Sequence, residues 1–308
     1  MKDTIAWVIC APPYNPDSGG SICLHALADV LCGLGLDACL APIQVDEMCS
    51  PFDLRALSKS WRRRLFSGHK TITTSLGNRA ACISAYKARQ LAKDGAIFIY
   101  PELVLGNPYQ ARRVVRWLLH FPMHFRKTAL WHAGDLIVRF NDAVPVQQLS
   151  GTHFLENSLK IVQYPWRIYQ DAAAPASQRK GNAYLVRKGK NKPFIHSADA
   201  ICVDDLSHTE TARILGQCKT FYSYDPYTAY SLLAVVAGCQ SIVVPDEGVS
   251  LERWYPDPAD RYGLSYGSTV SPESELTAPR VLERLQQAEA SNIKVAADFV
   301  HEVSQYLT

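Results

Sequence analysis

Phe221-Tyr-Ser-Tyr-Asp-Pro-Tyr-Thr-Ala-Tyr-Ser-Leu-Leu-Ala-Val-Val-Ala-Gly-Cys-Gln-Ser-Ile-Val-Val-Pro245 reads as a short strand, a tight turn, a helix and a second apolar strand. Asp225 suits a helix N-cap and Pro226 the first helical position, where a missing N–H costs nothing. Gly238 ends the helix, and Ser241–Val244 is a buried-strand run. The turn therefore sets a carboxylate, several aromatic and hydroxyl side chains and helix amides at the carboxyl end of a sheet. Open α/β folds bind ligands there, and free amides at a helix start suit phosphates.

Working towards the N-terminus, Ala183–Arg187, Ala200–Val203 and Thr220–Tyr222 read as strands, and Ile242–Val244 as another, with helices between them. Tyr169–Gly181 is rich in Ala, Pro and polar residues and reads as a linker. Before it, Ile5–Cys10 is a strand candidate, Pro12–Gly20 a polar loop and Ser21–Leu36 a helix. Cys23, Leu27, Val30, Leu31 and Leu34 lie on one face of that helix. Ala38–Pro42, Ala96–Tyr100 and Thr128–His132 are expected strands, while Ala80–Lys93 and Gln110–His120 are expected helices. The ending, Leu276–Leu307, reads as helical with a polar break. Such alternation predicts parallel sheets covered by helices on both faces. Two similar α/β domains are expected, residues 1–170 and 171–308, with the last helix crossing back to the first and a ligand cleft between them.

A chain of 308 residues, 47% apolar and 20% charged, is long enough and apolar enough for sizeable cores. No apolar run reaches the length of a membrane span, and the start lacks the basic-then-apolar pattern of a signal peptide, so a cytoplasmic location is expected. The nine cysteines are odd in number and never spaced C-x-x-C. They read as reduced core residues, with no metal site expected. His120 and His124 have i, i+4 spacing, but Pro122 interrupts the turn.

The net charge of +3 hides an asymmetry. Up to residue 170 there are 19 Lys+Arg against 12 Asp+Glu, and afterwards 13 against 17. Much of the basic excess lies in Arg55–Phe66. Without a nucleic-acid motif beside it, no nucleic-acid partner is expected. Trp61, Leu65 and Phe66, interleaved with Arg62, Arg63 and Arg64, suit an anionic membrane surface, and a solvated charged face fits the same residues.

Three further segments offer chemistry. Gly19 and Gly20 let backbone approach a ligand at the start of the first helix. Tyr184-Leu-Val-Arg-Lys-Gly189 ends a strand with Arg187 and Lys188, cations that suit a diphosphate. Tyr100-Pro-Glu-Leu-Val-Leu-Gly-Asn-Pro108 puts Glu102 at a strand end and turns at Gly106-Asn107 into an expected helix carrying Arg112, Arg113 and Arg116. Glu102 fits a catalytic carboxylate or a helix N-terminal partner equally well. His132, just past another expected strand, is a further ligand candidate, and His25 a lesser one. Gly33-Leu-Gly-Leu-Asp-Ala38 matches G-x-G-x-x-A but follows a helix, the reverse of the dinucleotide fingerprint, which disfavours a nicotinamide dehydrogenase. Walker A, G-x-S-x-G, H-E-x-x-H and D-x-D motifs are absent.

Taken in order, Tyr-Pro-Glu…Gly-Asn-Pro, Tyr-Leu-Val-Arg-Lys-Gly, Tyr-Asp-Pro-Tyr-Thr-Ala…Ala-Gly-Cys…Val-Pro and Arg261-Tyr-Gly-Leu-Ser-Tyr-Gly267 resemble bacterial GT-B glycosyltransferases. The likeness is closest to those that build O-antigen, capsule or other surface glycans. The resemblance implies α/β architecture with two Rossmann-like domains whose parallel sheets face a central cleft. It implies a nucleotide-sugar donor held mainly by the second domain, at Arg187, Lys188, Tyr224, Tyr227, Thr228 and Glu247, with Gly19 and Gly20 of the first domain also meeting donor. It also implies a glycan or lipid-linked acceptor held mainly by the first, near Asn107 and His132. Glu102 and Asp225 are the expected catalytic carboxylates, no cofactor is required, and weak inner-membrane association follows if the acceptor is lipid-linked. Many retaining members carry two glutamates eight positions apart where this chain has Asp225 and Leu233. The second carboxylate usually meets the donor ribose, a contact that Glu247 is the candidate to replace. Loss of that carboxylate keeps open a catalytically silent partner subunit of a glycan-assembly complex.

Overall fold

A computed structural model describes residues 5–43, 79–120, 131–142, 144 and 151–307. The chain forms two compact units, Met1–Gln163 with Ala290–Thr308, and Tyr164–Glu289. The first contains β1 (Trp7–Ala11), α1 (Gly19–Gly33), β2 (Ala38–Pro42), β3 (Ala81–Cys82), α2 (Ala85–Lys93), β4 (Ile97–Pro101), β5 (Arg113–Leu118), β6 (Leu136–Arg139) and β7 (His153–Phe154). Among the described residues its sheet runs β3-β2-β1-β4-β5-β6-β7, every pair parallel.

Successive residues of a strand point to opposite faces, and here both faces are covered. Trp7, Ile9 and Ala11 of β1 pack against Leu24, Leu27 and Leu31 of α1, while Val8 and Cys10 face Ala88 and Ala92 of α2. That two-sided burial is why β1 reads as a continuous apolar run rather than an alternating one.

The second unit holds α3 (Trp166–Asp171), β8 (Asn182–Leu185), β9 (Ile201–Cys202), α4 (His208–Gln217), β10 (Thr220–Ser223), α5 (Tyr230–Val236), β11 (Gln240–Val243), α6 (Leu251–Trp254), β12 (Leu264–Tyr266), α7 (Pro272–Thr277) and most of α8 (Val281–Ala290). Its parallel sheet runs β12-β11-β10-β8-β9. Ala183, Leu185 and Phe221 pack with Ala212, Leu215 and Leu233 of α4 and α5. The opposite face carries Tyr184, stacked on His196 with ring centroids 3.8 Å apart.

The final helix, α9 (Asn292–Leu307), belongs to the first unit, where Ala296, Phe299 and Val303 join the core beneath α1. Asn292 fixes it in place: its amide accepts from Val162 N at 3.0 Å and donates to Val162 O at 2.7 Å.

Three expectations change. Gln110–His120 is not a helix, since Arg113–Leu118 forms β5 in the interior of the first sheet. Its apolar residues crowd together because the strand is covered on both faces, and the polar break that imitates a helical face is a buried arginine. Trp131–Asp135 is a loop leading into β6, with residues 128–130 outside the described ones, so His132 precedes a strand instead of following one. Tyr169–Gly181 is packed backbone rather than a free linker: Ala174 N donates to Gly216 O, Lys180 N to Gln217 O, and Arg179 reaches the carbonyls of Ala174 and Gly238.

Candidate functional site

Among the described residues, each sheet has one place where strand order reverses. There the connections leave in opposite directions and open a crevice at the carboxyl ends of two adjacent strands. In the first sheet that place lies between β1 and β4, and in the second between β8 and β10.

At the first reversal, β1 runs into the Pro12–Ser18 loop and α1. Ser18 caps the helix by accepting from Ser21 N, and Ser21 Oγ in turn donates to Pro13 O. His25 Nε2 bonds Pro12 O at 2.9 Å, so the helix holds its own entry loop from beneath. His25 is buried, which lowers its pKa below the ordinary value. Gly19 has open space where a side chain would stand, and Gly20 lies against Leu119. Glu102, the residue after β4, is buried, and its Oε2 accepts from Leu119 N at 3.0 Å. The carboxylate therefore bridges the carboxyl ends of β4 and β5. Cys23, on the second turn of α1, has its thiol pushed up to about 12, chiefly by burial, with Glu102 adding to the rise. At neutral pH that keeps the thiol protonated.

Beyond Glu102 the loop is built on Arg116. This residue of β5 is fully buried, its Nε donating to Asp135 Oδ2 at 2.9 Å and its Nη1 to Val104 O at 3.1 Å. Nη2 donates to Gly106 O, and the guanidinium lies 4.9 Å from the Tyr100 ring centroid. Asp135 Oδ2 also accepts from His132 N. The Asn107 side chain is engaged inside the loop, accepting from Tyr100 OH and Ala111 N and donating to Ala111 O. The His132 ring is exposed, with its Cε1 about 4.0 Å from where a Cβ on Gly106 would lie.

The second reversal is assembled differently. After β8, Val186–Lys190 turns sharply, with Arg187 at φ 38, a left-handed value unusual for a residue with a side chain. Asp204 stabilises the turn, Oδ2 accepting from Val186 N at 3.0 Å and Oδ1 from Arg187 N at 3.3 Å. The Arg187 guanidinium sits over the Tyr230 ring at 4.6 Å, and Lys188 is exposed. Gly189 backs onto β10, where any Cβ would overlap the Tyr224 carbonyl, so only glycine lets the two turns come this close.

After β10, Tyr224 is fully buried, its hydroxyl bonded to Ile195 N and His196 Nδ1 at 2.7 Å each. Asp225 is buried and accepts from Tyr227 N at 3.2 Å. This corrects the helix-cap expectation: α5 begins at Tyr230 behind Ala229, and Asp225-Pro-Tyr-Thr is a separate turn. Pro226 has no N–H to give, and its carbonyl accepts from Trp254 Nε1 at 2.8 Å. Thr228 Oγ1 accepts from Tyr230 N, and Tyr227 is partly exposed, the buried part of its ring raising the phenol pKa and Asp246 adding to the rise. Glu247 is exposed in the loop after β11.

The expected residues thus fall into two groups. Gly19, Gly20 and Glu102 share the first reversal, with Asn107 and His132 on the loops that follow. Arg187, Lys188, Tyr224, Asp225, Tyr227 and Thr228 share the second, with Glu247 one strand over. Sequence reading missed Asp135, Asp204 and the pair formed by Lys192 Nζ and Asp246 Oδ1 at 2.7 Å, in which Lys192 also donates to Val244 O. Asp204 carried one signal, its place directly after a short strand. The others had none, because their partners are remote in sequence. Trp61 and Arg62–Arg64 lie outside the described residues.

Among the described residues, no cluster of three or more His, Cys, Asp or Glu is placed to hold a metal ion, and no helix is long and apolar enough to cross a membrane. No protein-family model matches the chain, and no curated protein matches it. Among solved structures, the chain is similar to the spinosyn forosaminyltransferase SpnP, at 12% identity and TM-score 0.35, over 98% of this chain and 95% of that one. It is also similar to the E. coli ADP-heptose LPS heptosyltransferase II, at 12% identity and TM-score 0.30, over 93% and 99% of the two chains. A third is the glycosyltransferase SnogD from Streptomyces nogalater, at 11% identity and TM-score 0.32, over 96% of each. Likenesses this distant leave any functional reading to rest on the residues themselves.

Proposed function

We propose that the protein is a metal-independent glycosyltransferase that moves a sugar from a nucleotide-sugar donor to a growing surface glycan of the O-antigen or capsule type. The observation that carries this reading is the pairing, at one strand reversal, of a cationic turn, Arg187-Lys188, with a carboxylate turn, Asp225–Thr228. In transfer, the bond from the anomeric carbon to the nucleoside diphosphate breaks as the acceptor oxygen bonds to that carbon. Arg187 and Lys188 balance the charge that develops on the leaving diphosphate. Asp225, with Tyr227 and Thr228, orients the donor sugar, and Glu247 reaches its ribose. The first unit serves the acceptor: Glu102 takes the hydroxyl proton if transfer inverts the anomeric centre, and His132 and the Asn107 loop border the acceptor. The protein works in the cytoplasm, and if its acceptor is lipid-linked, Arg62–Arg64 with Trp61 hold it weakly and salt-sensitively to an anionic inner leaflet.

A thermal-shift screen against UDP-, GDP-, CMP- and dTDP-sugars tests the donor assignment, because a bound donor stabilises the folded protein by mass action. A shift with one nucleotide class that disappears in Arg187→Ala supports it, and no shift with any class sinks it. One observation favours a second reading, a catalytically silent partner subunit: Leu233, where a second carboxylate would be, is fully buried in the core. Transfer or donor hydrolysis by the purified protein excludes that alternative.

A further inference from the structure

We infer that Arg116 is the positioning residue of the first unit's site, a buried cation that fixes the Glu102–Asn107 loop and the His132 turn relative to one another. This rests on the reading of Glu102 and His132 as the acceptor-facing groups. An arginine costs several kcal/mol to bury, even when paired, and a hydrophobic residue of similar volume often serves a sheet interior as well or better. Sheet stability alone therefore gives no reason for a charge in β5.

The donors of Arg116 do give one. A guanidinium carries five N–H groups in a rigid planar fork. Here Nε meets Asp135, while Nη1 and Nη2 meet the carbonyls of Val104 and Gly106. Those carbonyls belong to the loop that begins with Glu102. Asp135 passes the connection on to His132 N at 3.1 Å. Tyr100, under the guanidinium, holds the same loop through Asn107 Oδ1 at 3.0 Å. One side chain thus joins the segment after β4 to the segment before β6, which have no strand pairing with each other. Lysine cannot replace it, because an ammonium is a point charge without the fork.

Hydrogen exchange on the full-length protein, together with steady-state transfer kinetics, tests this in two variants. Arg116→Lys keeps the charge opposite Asp135 and removes the fork. Asp135→Asn keeps the fork and its two carbonyl bonds, but removes the charge opposite it and weakens both bonds that Asp135 Oδ2 accepts, from Arg116 Nε and His132 N. In Arg116→Lys, amides 103–107 and 132–135 should exchange at least about tenfold faster while β1, β4 and the second unit keep wild-type protection. Catalytic efficiency toward acceptor should fall roughly 10²-fold, the scale of a small misplacement at a reacting centre. The donor KM and the rate of donor hydrolysis should stay at wild-type values. In Asp135→Asn, amides 132–135 should gain more exchange than 103–107, whose carbonyl bonds to Nη1 and Nη2 of Arg116 remain. Unchanged exchange in both variants overturns the inference, and so does loss of protection across the whole first sheet, which would make the ion pair a general support of the fold. An equal fall in donor hydrolysis and transfer also overturns it. If the wild-type protein transfers no sugar, the functional reading fails on its own, and the exchange data still decide whether Arg116 fixes the two loops.

Discussion

The two strand reversals present comparable chemistry, yet they are held together by opposite means. The first is fastened mainly from inside its sheet, by a buried guanidinium that satisfies Asp135 and two loop carbonyls, beside the bonds of Ser21 and His25 to the Pro12–Pro13 carbonyls. The second is fastened from around its rim. Gly189 presses on the Tyr224 carbonyl, Trp254 anchors Pro226, Asp204 gathers the Arg187 turn and Lys192 bridges Val244 and Asp246. A single charged centre is geometrically exact but fails all at once, because losing it strands a buried carboxylate. Dispersed contacts yield one by one. The comparison makes the first unit the more brittle and the second the more adaptable.

The largest expected effect comes from Arg116→Met. It leaves Asp135 buried without its cation, and the first unit should lose about 3–5 kcal/mol, read as a lower denaturant midpoint for that unit. Adding Asp135→Leu should recover much of the loss; if it does not, packing around β5 matters more than the charge. Gly189→Ala is the corresponding blow to the second reversal. A methyl group there meets backbone that cannot swing aside, so about 1–3 kcal/mol should be lost, confined to the second unit's transition. A cost near zero would show that the two turns move apart freely.

Trp254→Phe sharpens the contrast, since it removes one dispersed contact and keeps most of the ring packing. The lost bond to Pro226 O predicts about 1 kcal/mol, with intact secondary structure by circular dichroism. If that change cost as much as Arg116→Met, the second reversal would also hang on one residue.

The smallest effect concerns pH. Burial lowers the pKa of His25 in the first unit and of His196 in the second. With the folded value depressed, the unfolded chain binds the proton first as pH falls. The stabilisation is therefore complete above the ordinary value of about 6.5 and is lost on descending from there towards the folded pKa. His25→Gln should flatten the acid side of the first unit's stability profile and leave the second unit's unchanged. Two-dimensional NMR titration should place both histidines below about 6.5, and a His25 midpoint at or above it would refute the assignment.

How far the sequence could be read depended on how local each feature was. The helix after the first loop, β1, β4 and the Phe221–Val244 strand-turn-helix-strand unit were legible because burial, caps and turn residues repeat at short range. The α/β class with parallel sheets followed from their alternation. β5 was misread because Val114, Val115, Trp117 and Leu118 are apolar on both faces and Arg116 interrupts them, a pattern that a helix with a polar stripe also gives. Asp225-Pro226 has a helix-start signature, yet the turn stops at Thr228 and the helix begins two residues later. The Ala-rich stretch from Tyr169 to Gly181 looked mobile because its fixing partners, Gly216, Gln217 and Gly238, are remote.

The sequence by itself determined the α/β class, the kind and approximate extent of most elements, and many but not all of the chemically able residues. Only the tertiary structure decided which of those residues stand together. Every strand of a parallel sheet buried on both faces carries the same apolar signal, so neither composition nor periodicity says which strand lies beside which. Strand order is settled by pairing between distant segments, and strand order places the reversal points. That is why Glu102 meets Leu119 beside Gly20, why the Arg187 turn closes against Tyr224, and why an arginine that looks like the surface of a helix sits at the centre of a sheet.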